Sequence, residues 1–181
     1  GLCIYCHAPH NAALAAAPLW NRQSSTQSFT MYNVAYSATM DMTVHTAPDV
    51  MSAACLSCHD GITALDALIN TPYGYTAATI GNTTTWGSVG TDLTNDHPIS
   101  IQYLGTGAAD SPASLYAPSE PLSGCLGATT IADVLRPNPN DSAATWDRVE
   151  CGSCHDPHNG TNSEIEVNYL RSTNVGSALC M

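Results

Sequence analysis

Three times along its 181 residues the chain repeats one pattern, Cys-x-x-Cys-His. The copies are Cys3-Ile4-Tyr5-Cys6-His7, Cys55-Leu56-Ser57-Cys58-His59 and Cys151-Gly152-Ser153-Cys154-His155. Two thiols three residues apart can form thioethers to the two vinyl groups of one porphyrin. The residue that follows is then held under the iron as its proximal ligand. The pattern is the attachment signature of c-type haem, with His7, His59 and His155 as proximal metal ligands. A Cys-x-x-Cys pair also serves in zinc sites and redox dithiols. Zinc needs two pairs per site, which three pairs do not supply evenly, and it leaves the repeated His without a reason.

Covalent porphyrins change what the remaining residues must do. Leu, Ile, Val and Phe make up only 17% of the chain, whereas Gly, Pro, Ser, Thr and Asn make up 40%. With a formal charge of −11, such a composition falls where disorder is the default. An aliphatic core is therefore ruled out as the main source of stability. Three or four porphyrins, each with two broad apolar faces, can supply the missing interior, and the thioethers act as crosslinks to it. The expected fold is a single domain over residues 1–181. It is mostly irregular coil with a few short α-helices and minimal β structure, wrapped around a closely packed chain of covalent haems.

The ligand count extends this reading. Of seven histidines, three are proximal, and His10, His45, His97 and His158 remain as distal metal ligands, one more than three haems require. The chain stops at Leu179-Cys180-Met181, which reads as a fourth motif interrupted after its second residue. Cys180 is then a thioether position and the spare histidine has a use. The rival is a disulfide between Cys180 and Cys125, which an oxidising compartment permits. Under the interrupted-motif reading Cys125 is a lone thiol with no assigned role.

Two distal candidates carry geometry. His10 follows His7 by three residues, and His158 follows His155 by three, each directly after a proline. Three residues reach at most roughly 10 Å, too short to carry the chain round a macrocycle to the other face of the same iron. Proline also fixes its own φ and biases the residue before it away from helix. His10 and His158 are therefore expected to point toward a different haem. His97, just before Pro98, and His45 suit ligands brought in on loops, with Asp96 placed to orient His97. A solvent-exposed histidine is the plain alternative for both.

The rest of the chain reads as wrapping. The Ala-rich residues 12–19 predict a short helix stopped near Pro18. Ile62, Leu65, Leu68 and Ile69 fall at helical spacing, predicting a helix over 60–70 that packs its stripe on a haem. A short helix is expected around Thr129–Leu135. The alternation of residues 164–170 predicts a short strand or extended edge. Residues 71–95, with Tyr73, Tyr75 and Trp86 as scattered anchors, and residues 105–145 read as loops. No internal repeat is visible beyond the motifs.

If every iron has two imidazoles, none has the open position that catalysis needs. That predicts electron transfer rather than an enzyme. The chain has no lysine and only four arginines against fifteen acids, which argues against nucleic acid and anionic membrane surfaces as partners. No apolar run approaches the roughly 20 residues of a membrane span. Covalent haem attachment follows export, so an extracellular, cell-surface or periplasmic location is expected, with a signal peptide removed ahead of Gly1.

Together with the motifs, Ala8-Pro9-His10-Asn11, Asp60-Gly61, Asn95-Asp96-His97-Pro98 and Asp156-Pro157-His158 resemble the multihaem c-type cytochromes of metal-respiring and related microbes. Within them the chain is most similar to the tetrahaem branch that polymerises into extracellular filaments, the cytochrome nanowires. The resemblance implies a mostly coil fold, haems stacked in a continuous row, and a homopolymer in which a His of one subunit can ligate a haem of the next. It implies redox partners or extracellular electron acceptors. The chain departs from the pattern at its last motif, which lacks the second Cys and the His. Alternatives to the filament subunit are a discrete periplasmic electron shuttle and a multihaem reductase with an open iron.

Overall fold

The computed structural model describes residues 2–13, 18–37, 40, 42, 44–71, 87–103, 115–137, 146–159 and 167–177. Cys180, Tyr73, Tyr75, Trp86, residues 14–17 of the Ala-rich stretch and residues 164–166 lie outside them. Regular structure is sparse. Among the described residues there are three α-helices, α1 (Val50–His59), α2 (Ile131–Val134) and α3 (Cys151–Cys154), and short 3-10 turns such as Leu2–Tyr5. Strands β1 (Ile101–Gln102), β2 (Arg136–Pro137) and β3 (Trp146–Val149) form one antiparallel sheet with β3 in the middle. Ile101 pairs with Val149, Gln102 and Arg136 flank Arg148, and the register shifts between Arg136 and Pro137. Proline is tolerated there because β2 is an edge strand. The expected architecture of coil, short helices and little β structure matches these elements.

Helix α1 lies on the near side of Asp60, not over 60–70 where the spacing of Ile62, Leu65, Leu68 and Ile69 pointed. Its good helix formers are Met51, Ala53, Ala54 and Leu56. Three contacts then stop it. Gly61 sits at φ 73, the left-handed cap position that glycine fills without Cβ strain. The Asp60 carboxylate accepts the N–H groups of Ile62 (2.9 Å) and Thr63 (2.7 Å). The buried Arg22 guanidinium takes the carbonyls of Ala64 and Leu65, which a continuing helix would have used itself. Leu68 is buried, but Ile62 and Ile69 are exposed, so the stripe does not pack as one face.

The Ala-rich helix also differs in its described part. Ala13 N–H donates to the Trp20 carbonyl at 2.7 Å, and Pro18–Leu19 is a turn, so the chain reverses there. The helix at Thr129–Leu135 is α2. It is held at its start by Asp133, whose carboxylate accepts from Thr129 and Thr130 at 2.9–3.0 Å. Those bonds, the Thr129 N–H first, lower the Asp133 carboxyl to about 2. In the described part of the expected 164–170 strand, Val167–Tyr169 is a 3-10 turn and Leu170 pairs with His155.

The apolar interior is small. Met31, Leu56 and Leu93 form its cluster, with Phe29, Val44 and Ile99 against it. Among the described residues eight apolar side chains are buried and thirteen polar or charged ones, an inversion of the usual pattern. Each buried polar group therefore needs a partner. For Asn21, Arg22 and Ser52 those partners include backbone atoms of the cysteine motifs: the Ile4 carbonyl, the Ser57 carbonyl and the Cys151 N–H.

Candidate haem sites

Each Cys-x-x-Cys-His segment folds as a helical turn. The first is the turn Leu2–Tyr5, with His7 N–H donating to the Cys3 carbonyl at 2.8 Å. The second is the last turn of α1, and the third is α3, where His155 N–H donates to the Cys151 carbonyl at 3.0 Å. Positions three and four apart share a face of such a turn, so both thiols and the His are presented together. The serine before the second Cys anchors two of the turns. Buried Ser57 donates to the Ala54 carbonyl at 2.6 Å, and the Ser153 hydroxyl accepts the Glu150 N–H at 3.0 Å.

The three motif histidines share one constraint. Their Nδ1 atoms lie on backbone carbonyls: His7 on Pro18 at 2.8 Å, His59 on Gly87 at 2.5 Å and His155 on Asn168 at 2.7 Å. A carbonyl only accepts, so Nδ1 carries the proton and Nε2 carries the lone pair. That is the tautomer and second-shell contact of a metal-ligating histidine. Each acceptor sits at a left-handed turn: Leu19 has φ 59, Gly87 φ 78, Asn168 φ 65 and Tyr169 φ 56. Non-glycine residues adopt this conformation at a cost of about 1 kcal/mol or more. It recurs where a carbonyl must be aimed at an imidazole. The donor set and its orientation fit a haem iron.

The first and third sites repeat the same clasp. At the first, Ala8 N–H donates to the Leu19 carbonyl and Asn21 N–H to the Cys6 carbonyl, each at 2.8 Å. At the third, Asp156 N–H donates to the Tyr169 carbonyl and Arg171 N–H to the Cys154 carbonyl, also at 2.8 Å. His7 bridges to Trp20 and His155 to Leu170. At both, the left-handed residue carries an exposed apolar side chain, Leu19 or Tyr169. This internal repeat is absent from the sequence, since its hydrogen bonds are made by backbone atoms.

The sites adjoin one another. Helices α1 and α3 meet at Ser52, whose hydroxyl bonds the buried Glu150 carboxylate and accepts the Cys151 N–H at 3.1 Å. There the Cys55 and Cys151 thiols are close enough to perturb each other. That interaction, aided by burial, raises Cys55, and it lowers Cys151. Burial pushes up Cys6 and Cys58, and Arg22 works against it at both. Glu150 is pushed up to about 8 by burial; bonds from Ser52 and Ser100 oppose the shift and the nearby Asp49 carboxylate adds to it.

Three of the four arginines of a lysine-free chain bond these motifs directly. Arg22, 1% exposed, donates to the Ser57 hydroxyl (3.0 Å) and carbonyl (2.6 Å). Arg136 and Arg171 both donate to the Gly152 carbonyl, at 2.6 and 2.8 Å. Arg148 is buried on β3 just ahead of Cys151, its Nε 3.6 Å from Asp147. Sequence reading marked none of these. Charge scarcity was the available signal, because so few cations leave few to spend on solubility.

The distal candidates are placed differently from one another. His45 Nδ1 bonds Asp49 at 2.5 Å and lies in the wall of a cavity of about 510 Å³ lined by Val44–Val50. His97 is exposed, with Nδ1 2.9 Å from the Pro98 carbonyl rather than on Asp96. His10 is exposed. His158, 77% exposed, has Nδ1 3.4 Å from Asp156, and its ring lies 6.1 Å from that of His7, the planes 18° apart. Cys125 is half-buried, which raises its thiol, and Cys180 lies outside the described residues. Among the described residues no three His, Cys, Asp or Glu side chains converge as a set that would hold a bare ion. No helix among them is long and apolar enough to cross a membrane. No family model and no curated protein matches the chain.

Proposed function

We propose that this chain is an electron-transfer subunit carrying covalent haem c at Cys3 and Cys6, at Cys55 and Cys58, and at Cys151 and Cys154. The observation that carries the reading is the common orientation of His7, His59 and His155, each with Nδ1 on a carbonyl of a left-handed turn. A single such contact is ordinary; three, one at every Cys-x-x-Cys-His, match what an axial ligand requires. When bound, the haem supplies an iron that takes up and returns one electron.

The chain's own groups prepare for it. The clasps fix each imidazole's tautomer and direct Nε2 outward. Leu19, Ile62, Val89 and Tyr169 leave apolar surface exposed beside the three motifs, where a porphyrin face would cover it. The adjoining Cys55 and Cys151 favour closely spaced cofactors. The four spare histidines suit second axial ligands, which leaves no open position for substrate chemistry. Assembly into an extracellular filament, with ligation across subunits, rests on the resemblance to the filament-forming cytochromes.

The test is export of the full chain from a host with c-type maturation machinery. Intact mass is expected to show three covalent haems on the complete motifs. Optical and EPR spectra are expected to be low-spin. A chain exported with bare thiols at Cys55 and Cys58 would overturn the reading. Electron microscopy and gel filtration address the filament, and a compact monomer at every concentration would leave the periplasmic shuttle.

A further inference from the structure

The rings of His7 and His158 stand 6.1 Å apart with their planes 18° from parallel. They belong to motifs at opposite ends of the chain. A ligating imidazole nitrogen lies about 2 Å from its metal and about 1 Å from its own ring centre. Two imidazoles trans on one metal therefore have centroids ~6 Å apart. An offset ring-on-ring stack reaches the same spacing, but it would cover one face of each ring, and the His158 side chain is 77% exposed.

The His7 ring is anchored by a hydrogen bond, and the His158 ring lies beside a carboxylate. His7 Nδ1 is on the Pro18 carbonyl at 2.8 Å, and His158 Nδ1 is 3.4 Å from Asp156. The turn presenting His158 is built in. Its N–H donates to the Asp156 carboxylate at 3.0 Å, and Asn159 N–H donates to the Asp156 carbonyl at 3.0 Å. The buried Asn159 side chain donates to the Leu170 carbonyl at 2.9 Å. With Pro157 between them, His158 cannot double back to the iron that His155 would hold.

We infer that His7 and His158 are the two axial ligands of a single iron, so that the tail of the third motif completes the haem attached at the first. The inference rests on the haem reading above. It makes the first and third haems immediate neighbours, because His155 and His158 would serve adjacent irons from one short turn. Electrons would then step between cofactors whose motifs lie at opposite ends of the sequence.

The test uses the full haem-loaded chain. In His158→Ala, intact mass is expected to show an unchanged haem count. One haem per chain is expected to turn high-spin in EPR and to bind carbon monoxide when reduced, against none in the parent. In Cys3→Ala/Cys6→Ala, which lacks the first haem, adding His158→Ala is expected to create no carbon monoxide site. His158→Met, which keeps a ligand on the iron, is expected to stay low-spin and raise the potential of one haem. Wholly low-spin haems in His158→Ala would overturn the pairing. So would a high-spin haem that persists once the first haem is gone. A parent chain that carries no haem would instead overturn the reading on which the pairing rests.

Discussion

Arg22 shows how a single residue can be spent in a chain with so few cations. Its guanidinium bonds Ser57 twice and the carbonyls of Ala64 and Leu65, tying the second motif to the segment after it. Arg22→Met keeps the volume but leaves those buried acceptors unpaired, so a loss of about 3 kcal/mol is expected, read as a lower denaturation midpoint of the haem-loaded protein. Glu150 makes a pH-dependent contribution. Its carboxyl is pushed up to about 8 from an ordinary 4.5, chiefly by burial. The folded state therefore holds a proton that the unfolded chain releases from about pH 4.5 upward. Stability from this group is fullest below that pH and is lost as pH rises to about 8. Glu150→Gln is expected to flatten the thermal midpoint across that interval, and an unchanged slope would assign the dependence to other groups. The motif residues were all legible in the sequence. Arg22 and Glu150 were not, because their roles depend on which backbone atoms reach them.

The helices and clasps illustrate how local pattern competes with tertiary contact. Helical spacing over 60–70 was real, yet Asp60, Gly61 and Arg22 divert the N–H and carbonyl groups that a helix there would need. The Thr129–Leu135 segment had no such competitor, and its Asp133 bonds kept it helical. The carbonyl clasps left no mark in side-chain pattern beyond Gly87, whose φ of 78 glycine adopts freely. A Cβ there would lie 3.4 Å from the His59 ring. Gly87→Val is therefore expected to displace the carbonyl that holds His59. The imidazole becomes a poorer donor, and the potential of one haem should rise in a redox titration while the others stay fixed. Unchanged potentials would mean that the Gly87 carbonyl does not tune the site.

For the whole molecule, the small cluster of Met31, Leu56 and Leu93 sets a limit. The thirteen polar and eight apolar side chains buried among the described residues leave little apolar burial to set against the conformational entropy of ordering them. Replacing the six motif cysteines by alanine is expected to abolish the cooperative thermal transition; a sharp melt in that variant would show that the polypeptide folds unaided. Each bound haem would add two propionates, partly offset by ferric iron, to the formal charge of −11. Any assembly of copies must overcome that repulsion. Filament formation, followed by light scattering, is expected to strengthen as salt is raised toward 0.3 M and as pH is lowered.

By itself the sequence determined the spacing of the cysteine motifs, the scarcity of large aliphatic residues and the mostly coil character. All three follow from residue identity and short spacing, which no later folding can alter. Only the tertiary structure decided which carbonyl holds each histidine, where the arginines are spent, that the first and third sites share one clasp, and that His158 faces His7. Those contacts join backbone atoms and side chains distant in the chain, so their partners are fixed by how the loops close and not by any local pattern.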